Sequence, residues 1–137
     1  MAFWCAYRPT YLQPQLFTSR THLIRVKRVY EPPSLDDGYR VLIDRFWPRG
    51  LSKESARLDE WLREEAVSDE LRRWFNHEPE KWNEFRAKYR KELDAYREEL
   101  RGLLRRTRGK NLTILYAAKD EEQNNAVVLK EYLEKLE

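Results

Sequence analysis

Residues 39–53 read YRVLIDRFWPRGLSK. The first half, with Val41, Leu42 and Ile43 in succession, is the apolar, β-branched run of a buried strand. The second half sets Asp44, Arg45, Arg49 and Lys53 among Phe46, Trp47 and Pro48. A strand that leaves the core and turns charged at once marks the rim of a sheet. Outward from it, His22–Tyr30 (HLIRVKRVY) suits a first strand, and Asn111–Ala118 (NLTILYAA) suits a third with a continuous apolar run. Such strands are typical of a parallel sheet covered on both faces.

Between the second and third strands the hydrophobic period becomes helical. From Glu78 to Arg106 the residues Trp82, Phe85, Tyr89, Leu93, Tyr96, Leu100 and Leu103 trace one face, and Pro79 occupies an early position where proline is tolerated. Ser68 is a good cap for Asp69–Phe75, and Asn124–Leu136 closes the chain as an amphipathic helix. Leu58–Ala66 fits either a short helix or an edge strand. PPSLDDG, ending at Gly38, supplies turn chemistry between the first two strands. Strands separated by helices predict a small layered α/β domain over residues 22–137, a mainly parallel sheet of few strands flanked by helices. Residues 1–21 are rich in Tyr, Phe, Pro and Gln and contain no acid, which sets them apart as an extension. Three origins fit: an aromatic arm that packs on a second subunit to make a homodimer, a misassigned start, or a cloning remnant.

A chain of 137 residues is long enough for one hydrophobic core. With 37% charged residues, 13% aromatics and only four glycines, the domain is neither disordered nor of low complexity. The balance of 27 basic and 24 acidic residues, net +3, describes a mixed surface and gives little support to a nucleic-acid partner. The same charge density suits the ion-pair networks of a thermophile. Cys5 is the single cysteine, so there is no intrachain disulfide framework, and a cytoplasmic location is expected. No apolar run approaches the ~20 residues of a membrane span, and the opening residues lack a signal-peptide core.

In open α/β sheets the ligand sits beyond the carboxyl ends of the strands. Asp44, Arg45, Trp47, Arg49 and Lys53 follow the second strand, and Lys119, Asp120 and Asn124 follow the third. An arginine fork matches a carboxylate or phosphate in two-point geometry, and lysine adds a point charge. The expected ligand is therefore a small phosphorylated or carboxylated molecule held by Arg45, Arg49 and Lys53, with Asp44 as the candidate general base. A second reading fits the same residues: Asp44 and Arg45 pair with Lys119 and Asp120 in an internal ion network. Gly50 provides the turn after Pro48, and Ser52 a cap for a short helix. His77, in NHEP, reads as a helix-terminal residue, and His22 is weaker still as a site candidate.

No metal-ligand spacing, nucleophile elbow, phosphate-cradling loop or dinucleotide fingerprint occurs, so neither a metal nor a cofactor is expected. The strongest basic cluster, RGLLRRTRGK at residues 101–110, offers a nucleic-acid-binding alternative. Cations in a last helical turn complement the helix dipole, a simpler account, and specific DNA binding is not expected.

KRVYEPPSLDDGYRVLIDRFWPRG, LDEWLREEAVSDELRRWF and LYAAKDEEQNNAVVL together cover nearly the whole domain. In these strings the chain resembles the YeaO-like family of small bacterial and archaeal proteins of unknown function. The resemblance implies an α/β domain without an established activity. It carries the family motif onto Tyr39, Arg40, Asp44, Arg45, Trp47, Pro48, Arg49, Gly50, Lys53, Lys119 and Asn124, which adds Arg40 to the candidate ligand-binding residues. Where members of that family often read Asn-His-Ala, this chain has Asn124, Asn125 and Ala126.

Overall fold

The structure, a computed structural model, describes residues 23–137. The extension at residues 1–21, and His22 with it, lies outside the described residues. Among the described residues four strands form one sheet: β1 (Ile24–Arg28), β2 (Tyr39–Leu42), β3 (Glu60–Trp61) and β4 (Leu112–Tyr116). All pairings are parallel and the order is β1-β4-β2-β3, so the α/β class expected from the sequence is the class observed. The ambiguous stretch 58–66 contributes the edge strand β3. Two residues are too short a run to show a period, yet flanking bonds extend the pairing, from Asp59 N–H to the Arg40 carbonyl and from Leu62 N–H to the Leu42 carbonyl.

Among the described residues five α-helices accompany the sheet: α1 (Lys53–Ala56), α2 (Asp69–Phe75), α3 (Trp82–Asp94), α4 (Arg97–Arg106) and α5 (Asn125–Leu136). Strand side chains alternate between faces. Val41, Ile43, Leu112, Ile114 and Tyr116 join the main core with residues of α2 to α5, whereas Leu42 and Leu115 join Val29 in a smaller cluster capped by Trp47, Leu51 and Trp61. Burial on both faces explains why the strands read as continuous apolar runs.

The single helical face traced over residues 78–106 is divided between α3 and α4, with Tyr96 at φ −115° between them. A straight helix of that length would run about 44 Å, against a diameter of roughly 35 Å for a domain of this size. The bend keeps Leu93 on one side and Leu100 on the other in the same core. Ser68 caps α2 by accepting from Leu71 N–H, as expected, and is held by Glu92, whose carboxylate takes both its N–H and its hydroxyl.

The turn between β1 and β2 is built around a buried acid. Ser34 and Asp37 form a reciprocal capping box over the single turn Leu35–Asp37. Asp37 is 1% exposed and accepts from Arg40, from Lys27 Nζ at 3.1 Å and from Arg25 at 3.4 Å. Burial alone would raise its pKa. The Ser34 N–H, Lys27 and Arg40 outweigh that and hold the carboxyl below its ordinary value. Gly38 then turns the chain at φ 64°, where a Cβ would meet the Asn111 carbonyl oxygen at 2.2 Å, so only glycine fits.

Candidate functional site

Because β2 and β4 are parallel neighbours, the loops that follow them emerge side by side. Between these loops and the end of α2 lies a crevice of about 390 Å³. The loop after β2 contributes Asp44 through Arg49, the segment after β4 contributes Ala117 and Ala118, and the start of α5 contributes Asn124 and Asn125. Phe75 and His77, at the end of α2, complete the opposite wall. Phe75, His77, Ala117, Ala118 and Gln123 also border an outer depression that includes Lys119 and Asp120. The convergence expected from the sequence is thus the geometry observed.

Asp44 is half-buried. One carboxylate oxygen accepts from Ala117 N–H at 2.8 Å and the other from Asn125 Nδ2 at 3.1 Å. Burial raises its pKa against the opposing pull of the Asn125 amide and the Ala117 N–H. Asn125 Nδ2 also donates to the Ile43 carbonyl at 2.8 Å, so one amide ties the first turn of α5 to the end of β2. Arg45 spends Nε on the Val67 carbonyl and Nη2 on the Ala66 carbonyl, and its Nη1 finds no partner among the described residues. Arg49 is exposed at the rim, with its backbone carbonyl held by the Tyr30 hydroxyl at 2.8 Å.

The remaining candidates separate. Trp47 lines the crevice and packs edge-on against Trp61, 5.5 Å between centroids, while its indole N–H donates to the Leu51 carbonyl. Asn124 is buried as the cap of α5, its side chain accepting from Val127 N–H and donating to the Asp120 carbonyl. Lys119 stands exposed at the outer depression. Lys53 opens α1 and does not line the crevice.

Arg40 lies at the opposite end of the sheet. It is 4% exposed, pairs with Asp37 and donates to the carbonyls of Ala56 and Arg57, the end of α1. The physical reason is register: Arg40 shares a face with Leu42 near the amino end of β2 and satisfies carbonyls that a helix end leaves open. The alternative ion network does not form either. Among the described residues no ion pair joins Asp44 or Arg45 to Lys119 or Asp120.

His77 sits just beyond the Asn76 cap of α2 at φ 54°, so the helix-terminal reading describes its place, and that place is also the crevice wall. In the basic cluster 101–110, Arg101 pairs with Glu98, Arg106 with Glu60 at 2.7 Å, and Lys110 lies over the Tyr39 ring. Among the described residues no group of three or more metal-ligating side chains occurs, and no helix is long and apolar enough to cross a membrane.

The family model that matches residues 23–136 is described as the inactive DUF488-N3 subclade. The chain belongs to this family. Among similar proteins, the uncharacterized protein YeaO of Escherichia coli (strain K12) is 43% identical over 113 residues, covering 82% of this chain and 98% of that protein. The uncharacterized proteins Mb3100c of Mycobacterium bovis and Rv3073c of Mycobacterium tuberculosis are each 41% identical over 112 residues, 80% of this chain and 92% of theirs. No solved structure matches. Several crevice residues fall outside the candidates the sequence offers, Arg72 and Asn125 among them. Arg72 sits on a short helix distant in sequence from both loops and places its guanidinium 5.8 Å from the Phe46 ring centroid. Asn125 was visible only as a departure from the Asn-His-Ala pattern, and the structure puts it on Asp44.

Proposed function

We propose that the crevice binds a small anionic molecule, phosphorylated or carboxylated, with Arg45 and Arg49 as its principal contacts. One observation carries this reading: Arg45, Arg49 and Arg72 line the crevice with a single carboxylate, Asp44, and neither Arg45 nor Arg49 meets a carboxylate among the described residues. Guanidinium groups placed in a concave site without an internal counter-ion attract an anion. The α5 amino terminus adds to the same field, since its first turn contains no acid. Lys119, in the outer depression, extends the positive rim. Lys53 and Arg40 take no part.

The reading is binding without turnover. Asp44 is the base the sequence singles out, and each of its oxygens already accepts one hydrogen bond, from the Ala117 N–H and from the Asn125 amide. That matches the word inactive in the description of the family. A cytoplasmic, membrane-free protein that retains a soluble anion is the setting this proposal assigns to it. Titration of the full chain with inorganic phosphate, followed by calorimetry, tests it. Saturable binding that Arg49→Ala weakens supports the reading, and absence of binding at millimolar phosphate and at millimolar acetate removes it.

A further inference from the structure

We infer that the ligand carries a planar ring beside its anionic group, the plan of a mononucleotide. This rests on the anion-binding reading above and deepens it. The exposed large hydrophobic side chains among the described residues are Leu23, Tyr30, Leu35 and Phe46, and both aromatic ones line this crevice. Phe46 is 57% exposed and Tyr30 43%, and because both line one crevice they make a shared apolar surface rather than scattered single residues. A guanidinium lies over each ring: Arg72 is 5.8 Å from the Phe46 centroid and Arg28 is 5.1 Å from the Tyr30 centroid. Aromatic rings beside cations are the elements of a stacking platform, and stacking on aromatic side chains is how proteins hold nucleobases without reading their sequence.

The polar groups fit the same plan. Asn125 spends its amide hydrogens on Ile43 and Asp44, and its Oδ1 finds no partner among the described residues. The Gln123 side-chain amide likewise has none there, and both residues line the crevice. Neutral amides beside a cationic rim suit a ligand with a hydrogen-bonding heterocycle and a separate charge, whereas a bare inorganic anion would use only the arginines. The volume, about 390 Å³, lies near the lower end of small-molecule sites, which span ~300–1,000 Å³. It suits one ring, one sugar-sized unit and one anion, not a dinucleotide.

The test is calorimetric titration of the full chain with inorganic phosphate, ribose 5-phosphate, a nucleoside 5′-monophosphate and the uncharged nucleoside, repeated on Phe46→Ala and Arg49→Ala. The nucleotide is expected to bind about ten-fold tighter than ribose 5-phosphate, and Phe46→Ala to abolish that advantage without weakening ribose 5-phosphate. Arg49→Ala is expected to weaken both anions alike. Equal affinities for nucleotide and ribose 5-phosphate, or a nucleotide affinity unchanged in Phe46→Ala, overturn the planar-ring inference and leave anion binding standing. No binding of any of the three anions overturns both, whether or not the nucleoside binds.

Discussion

At the amino end of the sheet one carboxylate, Asp37, holds the cations Arg25, Lys27 and Arg40. At the carboxyl end Arg45, Arg49 and Arg72 share a crevice with one carboxylate, Asp44, that holds no cation among the described residues. The residue types are the same and the arrangements are inverse. Around Asp37 each of the three cations already has a carboxylate partner, and the result is a fixed turn that closes β1, β2 and the end of α1 onto one another. In the crevice Arg45 is anchored by carbonyls and Arg49 is left at the rim, so their charge remains available to something outside the chain, while Arg72 pairs with Asp69 of its own helix. The contrast teaches that the number of arginines near an acid says little about function. What matters is whether each guanidinium already has a carboxylate.

The comparison breaks most visibly at Asp37. Asp37→Ala leaves Arg40 buried without its counter-ion, and losing one partner of a buried pair costs about 3–5 kcal/mol, read as a drop in urea midpoint. A loss under about 1 kcal/mol, the scale of an exposed ion pair, shows that the hub is not structural. Arg45 comes next. Arg45→Ala removes two charge-assisted bonds to the Ala66 and Val67 carbonyls, an expected loss of about 1.5–3 kcal/mol. No loss at all places Arg45 with Arg49 as a purely ligand-directed group.

Acid titration sharpens the same comparison, because the two carboxylates move in opposite directions. Asp37 is held below its ordinary pKa and Asp44 above it. A depressed folded pKa gives stability that is present above the unfolded value and lost as pH falls toward the folded one. Asp37 therefore withdraws its contribution as pH falls below the ordinary carboxylate range. A raised folded pKa has the reverse sign: the contribution of Asp44 is present below the unfolded value and lost as pH rises through the folded one. Carboxyl carbon shifts followed by NMR are expected to show Asp44 protonating before Asp37 as pH falls. Protonation in the reverse order contradicts the burial and pairing assigned to both.

Much of the fold was legible. Val41–Ile43 and Leu112–Tyr116 read as buried strands because both faces of the sheet are covered, and Ser68 announced α2. The bend at Tyr96 was not legible, since the apolar spacing runs through it unbroken and only the size of the domain forces the turn. β3 was too short to show a period. The carboxyl-end crevice was legible because two strands end in charge, and the partition of its arginines was not. Arg40 and Arg45 are five residues apart in one motif. Strand register sends one to the far end of the sheet, and tertiary packing alone brings Arg72 and His77 to the other.

Arg49 carries the smallest expected effect on stability and the largest on binding. As an exposed side chain without a partner among the described residues, its loss in Arg49→Ala is expected to change stability by no more than about 0.5 kcal/mol. The most direct test is thermal unfolding of the parent and of Arg49→Ala with and without inorganic phosphate, since a ligand of the folded state raises the midpoint by mass action. The account predicts a concentration-dependent rise in the parent and a markedly smaller one in the variant, from nearly equal starting midpoints. A parent that does not respond to phosphate, together with a variant that loses several kcal/mol without it, would contradict the account and make Arg49 a structural residue like Arg40.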